Sequence, residues 1–229
     1  FEVATNRIAG FNVAGPKARD MLQRMTNADL SNEAFRFKRS ATIEVAGVTC
    51  LAIRVSFTGD LGWELHCAEA DQVRLYTALI ERAREFDGGP VGGRALGSLR
   101  IEKGYGSWGR EYSPEYWPQE VALERLIKLD KDFLNKDAYL AVKDNPSREV
   151  LSVFEVDGEP IFTKDGKSVG RVTSGAYGYS VGKSLAIGYA DPSVAQPGDE
   201  LEVFILGKPH KAVLLAEPPF DPKGERLRG

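Results

Sequence analysis

Soft metal ligands are scarce in this chain of 229 residues, which has two cysteines, Cys50 and Cys67, and two histidines, His66 and His210. That is too few, and wrongly spaced, for the usual zinc or iron–sulfur sites, so no metal is expected. No apolar run approaches the roughly 18 residues of a membrane span, which removes the membrane class. Nor is there a dense block of basic residues: 30 Lys and Arg stand against 33 Asp and Glu, for a net charge of -3. Such a chain lacks a face that would release counterions from a phosphate backbone, and nucleic acid is not an expected partner. The opening stretch lacks a basic segment leading into an apolar one and lacks an Arg-rich amphipathic pattern. Because the chain begins on Phe1 rather than Met, it is expected to be a piece of something longer.

What remains is ordinary globular material, 42% apolar and 28% charged. A chain of this length buries roughly 70% of its unfolded surface without needing a staple. Pro16 suits a first helical position, and Lys17 to Met25 carries apolar residues at helical spacing. Thr42 to Cys50 reads as a β-hairpin whose alternation continues through Ile53, Val55 and Phe57. A glycine turn, Thr58-Gly59-Asp60-Leu61-Gly62, precedes a short strand over Trp63 to His66. The spacing predicts a helix over 69–84 with Val73, Tyr76, Leu79, Ile80 and Ala83 on one face. A second is expected over 94–103 through Ala95, Leu96 and Leu99, and shorter ones over 121–128 and 135–142. From Arg148 onward, β-rich runs at 150–154, 186–189, 201–205 and 212–215 alternate with Gly, Pro and Asp turns, as in a small antiparallel barrel. The change of character at Asp144-Asn145-Pro146 sets expected domains at 1–145 and 146–229.

Several patterns invite a chemical reading. His66 and Cys67 are neighbours on a strand and point to opposite faces, so they cannot form a nucleophile–base pair. Cys67 reads as a small core residue. Glu64 and His66 share the other face, beside a glycine turn, where composition favours a surface ion pair. Gly104-Tyr105-Gly106-Ser107-Trp108-Gly109 matches the dinucleotide fingerprint by letter, but a helix precedes it and a phosphate would meet the wrong end of the dipole. These glycines instead read as a helix terminator and a loop in which Trp108 can lie over something flat. Arg100 flanks an apolar stripe, so either a structural pair with a carboxylate or a clamp on an anionic or planar ligand is open to it. Thr173-Ser174-Gly175 and Gly178 to Ser184 lack P-loop spacing and read as turns.

Taken in order, Val13-Ala14-Gly15-Pro16 with Thr26 to Ser31, Arg54 to Leu65, Leu99-Arg100-Ile101-Glu102-Lys103-Gly104, Thr173-Ser174-Gly175 and Lys183-Ser184-Leu185-Ala186 resemble the aminomethyltransferase family of the glycine-cleavage T-protein. Trp108-Gly109-Arg110-Glu111 and the Tyr-Ser loop after Gly175 are most similar to the folate-binding C-terminal region of dimethylglycine and sarcosine dehydrogenases. The resemblance runs nearly the whole chain. It implies an α+β portion, part of a T-protein-like folate-binding fold, followed by a C-terminal antiparallel β-barrel.

It also implies a function: binding tetrahydrofolate and letting it capture a one-carbon unit from a methylamine donor as 5,10-methylenetetrahydrofolate. By resemblance Glu64 holds the pterin ring, Arg100 lines the folate cavity and Trp108 stands at its mouth. Phe57 occupies a position where a tyrosine is common, keeping the stacking face and losing the hydroxyl. The family's catalytic aspartate lies upstream of what matches Phe1, as would a flavoprotein domain with its FAD, so the chain alone is expected to be inactive. The alternatives are a stand-alone aminomethyltransferase or demethylase, or a folate-fold module that only binds. The resemblance places the protein in a bacterial cytoplasm, in preference to a mitochondrial matrix.

Overall fold

A computed structural model describes residues 3–156, 159–205 and 208–229. Phe1, on which the reading of the chain's start rests, lies outside them. Residue contacts divide the chain into two units, Phe1–Leu96 with Lys223–Gly229, and Gly97–Pro222. The boundary read from composition lies between residues 145 and 146, whereas the division by contacts falls within the helix Gly93–Glu102.

In the first unit, strands β1 (Ile8–Ala14), β2 (Ser40–Val45), β3 (Val48–Ile53) and β4 (Gly62–Ala68) form an antiparallel sheet in the order β1-β4-β3-β2. Period-2 alternation decides its faces. Val48, Cys50 and Ala52 of β3 and Trp63, Leu65 and Cys67 of β4 are buried on one side. Leu22 of α1 (Ala18–Gln23) and Leu75 and Leu79 of α2 (Gln72–Arg84) join the same core. Each large apolar side chain buried there contributes about 1.5–3 kcal/mol. The β2–β3 turn needs two residues at positive φ, and Ala46 (φ 49°) and Gly47 (φ 76°) supply them in the manner of a tight hairpin. Residues 223–229 return to this unit, where the Asn32 amide donates to the Gly229 carbonyl at 2.6 Å.

Two expectations are corrected in this unit. β3 ends at Ile53, so Val55 and Phe57 lie in an irregular segment instead of continuing the hairpin. The adjacent Arg54 is buried, and its guanidinium donates to the carbonyls of Phe35 and Arg228. The buried stripe of α2 is Leu75 and Leu79, while Val73 and Tyr76 are exposed. Leu75, outside the expected face, packs with Leu79 against the sheet core and so sets the turn of the helix.

The second unit begins in α3 (Gly93–Glu102), which ends where Gly104 takes φ 69° and Tyr105 N–H reaches back to the Arg100 carbonyl at 2.8 Å. That is a glycine-terminated helix end, and a Cβ at Gly104 would also strike Pro218 at 2.8 Å. Its buried face is Ser98, Arg100, Ile101 and Glu102 in place of the expected Ala95, Leu96 and Leu99. The helix expected over 121–128 is a single 3-10 turn, Glu124–Leu126, whereas α4 (Lys136–Leu140) forms as expected.

Strands β5 (Val150–Val156), β6 (Glu159–Phe162), β7 (Ser168–Gly178), β8 (Lys183–Ala190), β9 (Glu200–Ile205) and β10 (Lys208–Leu215) then close an antiparallel barrel in the order β10-β5-β8-β7-β6-β9. Phe154, Ile161, Val203, Ala212 and Leu214 lie in its core. Thr173-Ser174-Gly175 sits inside β7 and not in a turn, a correction that matters for the site described below. No helix among the described residues is long and apolar enough to cross a membrane. No cluster of three or more His, Cys, Asp or Glu among them could hold a metal ion.

Candidate functional site

On β4 of the first unit, the inward side chains Trp63 and Leu65 leave Glu64 and His66 on the outer face. Glu64 pairs in register with Asn12 of β1 and Ile53 of β3, and His66 with Gly10 and Leu51. The Glu64 side chain is 39% exposed and its Oε2 lies 3.5 Å from His66 Nε2. A carboxylate held this loosely keeps most of its lone pairs available. The turn leading into β4 is stapled by Ser56, whose Oγ accepts from Gly59 N–H at 3.1 Å. Phe57 is half-buried within this turn segment. Cys50 and Cys67 face the core, and burial, with Cys67 alongside, pushes the Cys50 thiol up to about 11, which leaves both thiols inert.

In the second unit Arg100 is only 6% exposed, and both terminal nitrogens of its guanidinium are engaged in a network. Nη1 donates to the Tyr105 carbonyl at 3.0 Å and to Glu111 Oε2 at 3.2 Å, and Nη2 donates to Ser174 Oγ at 2.6 Å. Glu111, fully buried, also accepts from Ser107 N–H at 2.7 Å, Thr173 Oγ1 at 2.7 Å and Ser174 Oγ at 2.5 Å. Burial alone would push this carboxyl up. The donors Ser174, Ser107 and Thr173, together with the Arg100 charge, outweigh it and hold the carboxyl below its ordinary value. The Tyr189 hydroxyl donates to the Glu111 carbonyl, and its ring stacks on Tyr116 with centroids 4.1 Å apart. Burial pushes the Tyr189 phenol well up.

The structure therefore brings three separate motifs together, Leu99-Arg100, Trp108 to Glu111 and Thr173-Ser174, around one buried ion pair. For Arg100, open to two roles from sequence, it displays a structural pair with a carboxylate. Trp108, two residues beyond Gly106, is 83% exposed and makes no cation–π contact among the described residues. Sequence reasoning missed Glu120, fully buried and gripped by Arg148 through Nε at 2.9 Å and Nη2 at 2.7 Å. No motif signalled it, because its partner stands 28 residues away.

Residues 1–131 match the family model described as the GCVT N-terminal domain, and residues 147–221 match the glycine cleavage T-protein C-terminal barrel domain. The chain belongs to the glycine-cleavage T-protein family. This is the folate-dependent aminomethyltransferase family. The chain is 37% identical over 223 residues to human mitochondrial dimethylglycine dehydrogenase, covering 93% of this chain and 26% of that one. It is 32% identical over 221 residues to the aminomethyltransferase of Caldanaerobacter subterraneus subsp. tengcongensis, covering 93% of this chain and 59% of that one. It thus spans about a quarter of the first relative and about three fifths of the second. The solved structure of glycine cleavage system aminomethyltransferase T from Bartonella henselae superposes with a TM-score of 0.80 at 21% identity, over 94% of this chain and 60% of that one, which shows a shared T-protein fold.

Proposed function

We propose that this T-protein-family chain is the tetrahydrofolate-binding region of a dimethylglycine or sarcosine dehydrogenase-like protein. The observation that carries the reading is the half-exposed carboxylate of Glu64, fixed on a central strand and held, among the described residues, by one weak partner. Such a group fits a pterin, whose N3–H and 2-amino group form a flat donor pair that both oxygens can accept together, as they accept a guanidinium. Tetrahydrofolate, when bound, supplies the nitrogens that take up a one-carbon unit at the oxidation level of formaldehyde. Glu64 orients the pterin edge, and Phe57 offers an aromatic face to it. Trp108 presents an exposed indole of the kind that covers a flat ligand.

Titration of tetrahydrofolate into the purified protein and its Glu64→Gln variant tests the anchor. Losing one of two charge-assisted bonds costs about 2–4 kcal/mol of binding, and equal affinity overturns the assignment. A second reading, an aminomethyltransferase working on the same pterin anchor, is supported by the 32% identity to such an enzyme.

A further inference from the structure

One turn of the second unit joins a fully buried carboxylate to an exposed indole. Residues 107–112 close on themselves: the Ser107 carbonyl accepts from the N–H groups of Arg110, Glu111 and Tyr112 at 3.2, 3.0 and 3.0 Å, and the Gly109 N–H returns to the Tyr112 carbonyl at 2.8 Å. Gly106 leads into the turn with its N–H on the Tyr112 hydroxyl at 3.0 Å, and a Cβ there would stand 2.7 Å from the Tyr112 ring. Glu111 anchors the turn from inside. Its carboxylate takes the Ser107 N–H of the turn itself, Arg100 Nη1 of α3 and the Thr173 and Ser174 hydroxyls of β7. Arg100 Nη1 also holds the Tyr105 carbonyl at the entry to the turn, and the Tyr189 hydroxyl of β8 holds the Glu111 carbonyl. Three residues before Glu111, Trp108 carries its indole 83% exposed.

A stretch with glycines at 104, 106 and 109 has the composition of a loose loop. Here a helix and two barrel strands grip it through Glu111. A buried ion pair is a poor source of stability compared with apolar packing of the same volume, so what this one contributes is a single conformation. Resting on the reading of Trp108 as the cover of a flat ligand, we propose that Glu111 is a positioning residue for tetrahydrofolate binding, which fixes the 107–112 turn so that the Trp108 indole is in place before the ligand arrives. An aromatic side chain on a fixed backbone loses only its own rotamer freedom on binding, whereas one on a free loop loses backbone freedom as well. Glu111, fully buried, thus acts through Trp108 and not by contact.

The test is calorimetric titration of tetrahydrofolate into the wild-type protein, Glu111→Gln, Trp108→Ala and the double variant, with affinities taken per folded molecule from the folded fraction seen by circular dichroism. Glutamine keeps the shape of the side chain and removes its charge. Glu111→Gln is expected to bind about two- to tenfold more weakly, the scale of ordering one more group on binding. In the Trp108→Ala background the same substitution is expected to change nothing, because the group it positions is gone. Equal weakening in both backgrounds marks a merely structural carboxylate and overturns the proposal, as does no weakening in either. Should Glu111→Gln fail to fold, Thr173→Val, which removes one donor to the carboxylate at little change in volume, takes its place in the same cycle and the same outcomes decide. The remaining arms separate the levels. A wild type that does not bind tetrahydrofolate overturns the reading of the site itself, whereas a Trp108→Ala variant that binds as wild type removes Trp108 and this inference with it and leaves the Glu64 anchor standing.

Discussion

Glu64 in the first unit and Glu111 in the second are both carboxylates beside a cationic side chain, yet their surroundings differ in every other respect. Among the described residues Glu64, 39% exposed, has one partner at 3.5 Å, whereas Glu111 has no exposure and four donors between 2.5 and 3.2 Å. The first arrangement stabilises the fold very little, because solvent screens the pair and both groups stay hydrated. The second cannot be opened without stranding a charge away from water. A carboxylate with spare lone pairs is suited to a ligand, and a saturated one is suited to holding three chain segments in register.

The sharpest way to break this comparison is to remove each carboxylate in turn. Glu111→Ala leaves the Arg100 guanidinium buried and unpaired, and is expected to destabilise the protein by about 3–5 kcal/mol. Glu64→Ala is expected to stay within about 0.5 kcal/mol. Denaturant midpoints check both, and equal shifts would erase the distinction. Arg100→Ala belongs with Glu111→Ala, and the double variant should lose much less than the sum of the two, since the same pair is broken once.

Acid sharpens the comparison further. Arg148 and the backbone N–H groups of Trp117 and Arg148 pull the Glu120 carboxyl down to about 2. A folded-state value below the unfolded one gives stability that is present above the ordinary carboxylate range and is lost as pH falls through it toward about 2. Glu111 acts in the same direction. Allowing for the exposed Arg148, Glu120 contributes about 2 kcal/mol at neutral pH. The melting temperature of Glu120→Gln should accordingly lie below wild type at neutral pH, with the gap closing as the solution is acidified. A gap that persists at low pH would assign Glu120 a packing role instead.

Much of the architecture was legible in the sequence because alternation and helical spacing are local properties. The hairpin of β2 and β3, the strand at Trp63, the glycine stop at Gly104 and the barrel after Arg148 each follow from neighbours a few residues apart. The face shared by Glu64 and His66 was legible for the same reason. The burial of Arg100 was not, since its partners Glu111 and Ser174 stand 11 and 74 residues away. Thr173-Ser174 was misread because small hydroxyl residues next to glycine are the usual marks of a turn. Inside β7 the same hydroxyls serve as donors to a buried carboxylate.

The smallest expected effect concerns Trp108, whose ring is 83% exposed. Trp108→Ala should change stability by less than about 0.5 kcal/mol. Any loss of tetrahydrofolate affinity in that variant therefore reports contact with the ligand, and unchanged affinity removes Trp108 from the site.

The return of residues 223–229 to the first unit also bears on the order in which the molecule can be made. Arg54 is buried against Trp63, and one of its acceptors is the carbonyl of Arg228. A ribosome adding about 5–20 residues per second needs on the order of 10 s to travel from Leu96 to Arg228. Throughout that interval the nascent first unit holds a guanidinium short of one acceptor, while the whole of Gly97–Pro222 is being synthesised. The first unit is thus completed only after Gly97–Pro222 has been made, when residues 223–229 rejoin it.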